Sequence, residues 1–144
     1  MSGKWRNVAL LTVCEVFAMT LWFSGSAIIP GLRQEMALSD SQAAAMASAV
    51  SFGFVAGTLV SAFFTLVDRV RPQTLFMCAA LTAATANLGT LVIDPAGPWM
   101  PVLRFMVGAC MAGIYPVGMV LVSSWTEKDR GLLVGLLVAA LTLG

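Results

Sequence analysis

The chain has 144 residues, 59% of them hydrophobic and 10% charged, with a net charge of +1 and a mean hydropathy of +0.91. A soluble domain carries about 25% charged residues, so this chain is suited to lipid, and its charge gives no reason to expect a nucleic acid partner. There is no histidine, and Cys14, Cys78 and Cys110 stand alone in apolar runs without CxxC spacing. A zinc site or a disulfide framework is not expected from that pattern.

Crossing a bilayer takes about 20 mostly apolar residues. Runs of that kind lie near 8–29, 42–66, 74–93 and 100–124, and a further one spans 131–144. Each is predicted to be a helix, because only helices and closed barrels satisfy their backbone in lipid, and the period-two alternation of barrel strands is absent. The expected fold class is therefore all-α, a polytopic transmembrane bundle. The first run, "VALLTVCEVFAMTLWFSG", carries Glu15 at its middle. Lys4, Arg6, this run and "SGSA" would also fit a signal peptide cut after Ala27, but an internal acid and a run of more than 20 residues argue against it.

The second run is rich in small residues and contains Gly53-x-x-x-Gly57, which lets a neighbouring helix approach closely. Ser39 or Asp40 is expected to cap it. Pro95, Gly97 and Pro98 fit a tight turn before the fourth run. The fourth run has Gly108-x-x-x-Ala112 and Ala109-x-x-x-Gly113, and Gly113, Pro116 and Gly118 are expected to loosen it near Tyr115. Orientation follows from the basic residues. With the N-terminus inside, the inner segments hold Lys4, Arg6, Arg69, Arg71, Lys128 and Arg130, and the outer loops hold only Arg33. That bias places the N-terminus in the cytoplasm, with Trp5 and Trp125 at the inner interface and Trp99 at the outer.

Three stretches resemble one family. The inner loop "FTLVDRVRPQTLF" resembles the G-x-x-x-D-R-x-G-R-R loop of major facilitator superfamily transporters, with Asp68 and Arg69 in register. Phe64 replaces the first glycine, Arg71 the second, and Pro72-Gln73 the basic pair. The fourth run, "RFMVGACMAGIYPVGM", is similar to the family's R-x-x-x-G pattern through Arg104 and Gly108. The first run and the segment from Ile114 to the end resemble a bacterial branch of the same family. The resemblance implies a transporter of twelve helices in two six-helix halves, in a bacterial inner membrane. This chain would then be a fragment of the first half, cut inside its fifth helix and not competent to transport alone, and the missing C-terminal half would be its partner. It implies a small-molecule substrate, a coupling ion (H+ foremost), no cofactor and no enzymatic step. It also implies an inner gate at Asp68, Arg69 and Arg71, with Asp68 capping a neighbouring helix in one state.

An ionisable residue inside a span is a functional hypothesis by default. Glu15 is expected in a central cavity, where it can bind a proton, or else hydrogen-bonded for helix packing. Counted from Trp5 and Trp125, Glu15 and Arg104 lie about 16 Å apart in depth, so a direct salt bridge is not expected. Tyr115 matches the depth of Glu15 and is its expected hydrogen-bond partner. Arg104 is expected either to snorkel to the outer interface or to charge the cavity. Asn87 and Thr82 are candidate polar contacts, and Trp22, Phe23 and Ser24 are candidate linings of its outer half. Two other readings remain: a small oligomeric transporter similar to the small multidrug resistance proteins, and a non-transporting membrane subunit in which Glu15 and Arg104 bind a partner helix.

Overall fold

The computed structural model describes residues 3–36, 38–125 and 130–143. They form seven helices and, among the described residues, no strand: α1 Gly3–Met36, α2 Asp40–Phe63, α3 Leu66–Arg69, α4 Pro72–Gly89, α5 Trp99–Met111, α6 Tyr115–Trp125 and α7 Arg130–Leu143. Lys128 lies outside the described residues, and so do the side chains of Lys4, Trp125 and Arg130.

The helix boundaries depart from expectation for local reasons. α1 runs through Pro30 to Met36, seven residues beyond the predicted end. The segment "GLRQEM" therefore extends α1 where a connector was expected. Arg33 in its last turn pairs with Asp40 at 2.9 Å. Ser39 is the cap of α2: its hydroxyl accepts from Gln42 N, and the Gln42 side chain accepts from Ser39 N, a complete capping box. The amide of Gln42 also donates to Ala96 O at 2.9 Å, which ties the start of α2 to the loop before α5.

The fourth run is two helices. Pro116 has no N–H to offer Ala112 O. The chain instead makes two short-range bonds, Gly113 N to Cys110 O at 2.9 Å and Ile114 N to Met111 O at 3.1 Å, before α6 resumes at Tyr115. The expected loosening around Gly113 and Pro116 is thus a real break. It falls inside one continuous apolar stretch, Trp99–Ser124, which is long enough to cross a membrane.

Trp5–Met36 and Asp40–Phe63 are also long and apolar enough to span. Gln73, Thr74, Thr82, Thr85 and Asn87 dilute α4, which at 18 residues does not reach the same apolarity. The described part of α7 has 14 residues. Large apolar side chains cover the outside: Phe17 and Phe52 are each 68% exposed and Phe63 83%. In water such a surface would be a liability; in lipid it faces its own solvent.

The small-residue motifs of the second and fourth runs find each other. A Cβ added at Gly53 or Gly57 would land on the backbone of Phe105 or Ala109, and one at Gly108 on the Val50 carbonyl. α2 and α5 therefore meet backbone to backbone, as close helix packing in lipid requires. Around this seam Ala18, Met19, Val107, Met111 and Ile114 form a buried cluster. A second, of Val8, Leu11, Val117, Leu121, Leu133 and Leu137, joins α1 to α6 and α7.

Candidate functional site

The two intramembrane charges are the only buried charged residues among those described: Glu15 is 1% exposed and Arg104 2%. α1 runs antiparallel to α5 and α6. Glu15 of α1 lies against Gly118 of α6, and Arg104 of α5 lies against Gly25 of α1. Each charge is seated on a glycine of the opposing helix. A Cβ at Gly118 would land on the Glu15 carboxyl, and one at Gly25 on the Arg104 guanidinium.

Arg104 is heavily engaged. Its Nη1 donates to Leu21 O at 3.1 Å, Ser24 Oγ at 3.2 Å and Asn87 Oδ1 at 3.2 Å, and its Nη2 donates to Trp22 O. Ser24 Oγ lies 3.0 Å from Asn87 Oδ1, closing a polar triangle between α1, α4 and α5. Only Nε lacks a partner among the described residues. The side chain does not snorkel. It turns inward and braces three helices, because bare carbonyls on one helix and an amide on another supply what the buried charge needs.

Glu15 is the opposite case. Neither carboxyl oxygen has a hydrogen-bond partner among the described residues. The expected bond from Tyr115 is therefore not made. The reason is direction: side chains lean toward their helix's N-terminus, so Tyr115 reaches away from Glu15, up the antiparallel α1. Its half-buried ring lines a pocket of about 270 Å³ with Met19, Trp22, Phe23, Phe54 and Met111. Trp22 meets Phe54 edge to face with centroids 5.7 Å apart. Among the described residues no ion pair joins Glu15 to Arg104, in line with their depths. Arg104 bonds to the stretch 21–24 of α1, about 9–14 Å further along than Glu15 at 1.5 Å per residue.

The remaining candidates lie elsewhere. Thr82 is exposed and donates to Cys78 O within its own helix, so it takes no part in the polar triangle. Asp68, Arg69 and Arg71 are exposed around α3. Asp68 accepts no hydrogen bond from a neighbouring helix N-terminus among the described residues, so the capped arrangement is not the one present here. Arg69 Nε donates to Thr65 Oγ1 at 3.1 Å. Thr65 has φ 50° and ψ 43°, a left-handed conformation that is costly for a β-branched residue. It follows Phe64, where the family's loop pattern has glycine.

Reading the sequence missed the two glycine seats and the main-chain acceptors of Arg104. Gly25 and Gly118 belong to no small-xxx-small motif. The signal available was positional: in an antiparallel pair, each is the small residue opposite a charge.

No curated protein and no solved structure matches the chain. The family model described as Major Facilitator Superfamily matches residues 11–144. That match covers nearly the whole chain, including both charges, their glycine seats and the loop around α3. The chain belongs to the Major Facilitator Superfamily of transporters.

Proposed function

We propose that this chain works as part of a transporter that moves a small solute across a membrane by proton-coupled alternating access, with Glu15 as the proton-binding group. The observation that carries the reading is the Glu15 carboxyl, buried at 1% exposure with both oxygens unbonded among the described residues. A buried charge needs a partner, and the described residues around it offer none. A bound proton removes the charge, and its release waits on a rearrangement that brings water or a substrate to the site. Arg104 does not do this work, because its hydrogen bonds hold α1 to α4 and α5. Its role is to keep α1 in place while the carboxyl changes state.

In this reading the N-terminus is cytoplasmic, following the excess of inner Lys and Arg. A second six-helix half is the rocking partner, and the site opens at midplane between the halves. Asp68, Arg69 and Arg71 form the inner gate in this reading. The host membrane is a bacterial inner membrane.

The test is infrared difference spectroscopy of the chain in lipid, titrated with pH. Subtracting the Glu15→Gln spectra, which retain the bands of the other Asp and Glu side chains, should leave one protonated-carboxyl band that appears and vanishes reversibly in the wild type. A spectrum that is the same in both would overturn the assignment.

A further inference from the structure

The break between α5 and α6 divides the packing of the molecule as well as the helix. Before it, Val107, Met111 and Ile114 belong to the buried cluster that holds Ala18, Met19 and Val50. After it, Val117, Leu121 and Val122 belong to the other cluster, with Val8, Leu11, Leu133 and Leu137. The border between the clusters therefore falls between Ile114 and Val117, at Pro116. Each side is firmly held. α5 is fixed by its backbone seam with α2, at Gly53, Gly57 and Gly108, and by the hydrogen bonds of Arg104. α6 is fixed to α7 and to the start of α1.

The joint itself is loosely surrounded. A cavity of about 420 Å³ reaches Cys110, Ala112 and Gly113, and another of about 210 Å³ reaches Ala112 and Pro116. Ser61 of α2 borders both. Protein interiors leave few voids larger than a water molecule, so space on this scale beside a helix break is room to bend. Pro116 has no N–H to restrain Ala112 O, and no turn bond among the described residues ends on that carbonyl. α1 and α4 reach both clusters, but neither clamps the joint. The α4 contact there is between small groups, since a Cβ at Gly113 would crowd the Ala79 methyl. In α1, Thr12 Oγ1 donates to Val8 O at 2.9 Å, a back-bond of the kind that bends helices.

We infer that residues 112–116 are a working hinge, at which α6 and α7, with the first turns of α1, swing as one body against α2 and α5. Sharp helix kinks exceed about 20°. A swing of that size carries the far end of the 11-residue α6, about 16 Å away, through about 6 Å. The chain therefore flexes internally rather than moving as one rigid block. The inference is independent of the proton reading, because Pro116 sets the joint whatever Glu15 binds.

The test is double electron–electron resonance between paired spin labels, on the full chain in lipid nanodiscs. The background carries Cys14→Ala, Cys78→Ala and Cys110→Ala. One labelled pair, Leu59→Cys with Leu132→Cys, spans the joint from α2 to α7. A control pair, Leu59→Cys with Leu88→Cys, joins α2 to α4 on one side of it. All three positions are exposed. The joint-spanning distances should be spread more widely than the control by about 6 Å, or split into two populations about 6 Å apart. Pro116→Ala restores the N–H facing Ala112 O and should narrow the joint-spanning distribution toward the control. Ser61→Leu, which fills the space from the α2 side, should narrow it too. A joint-spanning distribution no wider than the control overturns the inference, and so does one that Pro116→Ala leaves unchanged. The first comparison needs no substitution at the joint's proline, so a misfolded Pro116→Ala cannot mask the answer.

Discussion

Arg104 and Glu15 are the same kind of problem solved in two ways. Both are buried charges inside apolar helices, and both rest on a glycine of the facing helix. At the Arg104 end the protein supplies acceptors from α1 and α4 until the guanidinium is nearly satisfied. At the Glu15 end it supplies nothing among the described residues. A group that is fully bonded holds helices together, because moving it breaks several bonds at once. A group left unbonded is free to take up a proton or a ligand, because nothing has to be broken first. In the proposed reading, that difference separates scaffold from chemistry along α1, with α4 and α5 at the Arg104 end and α6 at the Glu15 end.

The same substitution at the two seats should expose that difference. Gly25→Ala puts a methyl group where the guanidinium lies, and Arg104 cannot give way without surrendering its bonds. Losing such a network should cost about 3 kcal/mol of stability, after the gain in helix propensity of about 1 kcal/mol from Gly to Ala. Reversible unfolding in mixed micelles, followed by circular dichroism, measures it. Gly25→Ala at wild-type stability would show that the brace is dispensable and that Arg104 has another task.

Gly118→Ala should cost less. Its methyl group would also meet a side-chain end, the Glu15 carboxyl, but that carboxyl has no bond to lose among the described residues and can swing aside. Overpacking of about 1–3 kcal/mol is partly offset by the same propensity gain, leaving a net loss of about 1 kcal/mol. A Gly118→Ala loss as large as that of Gly25→Ala would mean that the carboxyl is pinned, and the comparison would collapse.

How much of this was legible beforehand differs between fold and site. The helices were legible because lipid leaves a chain few options, and apolar runs of the right length announce themselves. The break near Pro116 was legible because a missing N–H is a property of one residue. The extension of α1 past Pro30 was not, because "GLRQEM" reads as a connector until Arg33 is seen paired with Asp40. The two charges were visible as residue types, and their separation in depth followed from counting turns. Their partners were not visible. The acceptors of Arg104 are mostly main-chain carbonyls, which every residue has, so no letter in the sequence marks Leu21 or Trp22 as special. The expected Tyr115 bond failed because equal depth does not fix the direction in which a side chain leans.

The smallest expected effect is the most discriminating. Glu15→Gln keeps the shape of the side chain and removes the ability to bind and release a proton. If the carboxyl is unbonded, the substitution breaks no hydrogen bond, and stability should change by less than about 1 kcal/mol in the same micelle assay. Arg104→Gln cannot share that indifference, since a shorter side chain abandons acceptors on two other helices. A large loss on Glu15→Gln would therefore reveal a bond to the carboxyl in the folded protein and make Glu15 a second brace. A negligible loss, together with disappearance of the titrating infrared band, leaves the carboxyl with chemistry as its one remaining reason to be buried there. A lone acid inside a membrane span is expensive. A residue that contributes nothing to stability and still occupies such a place has to be explained by what it binds.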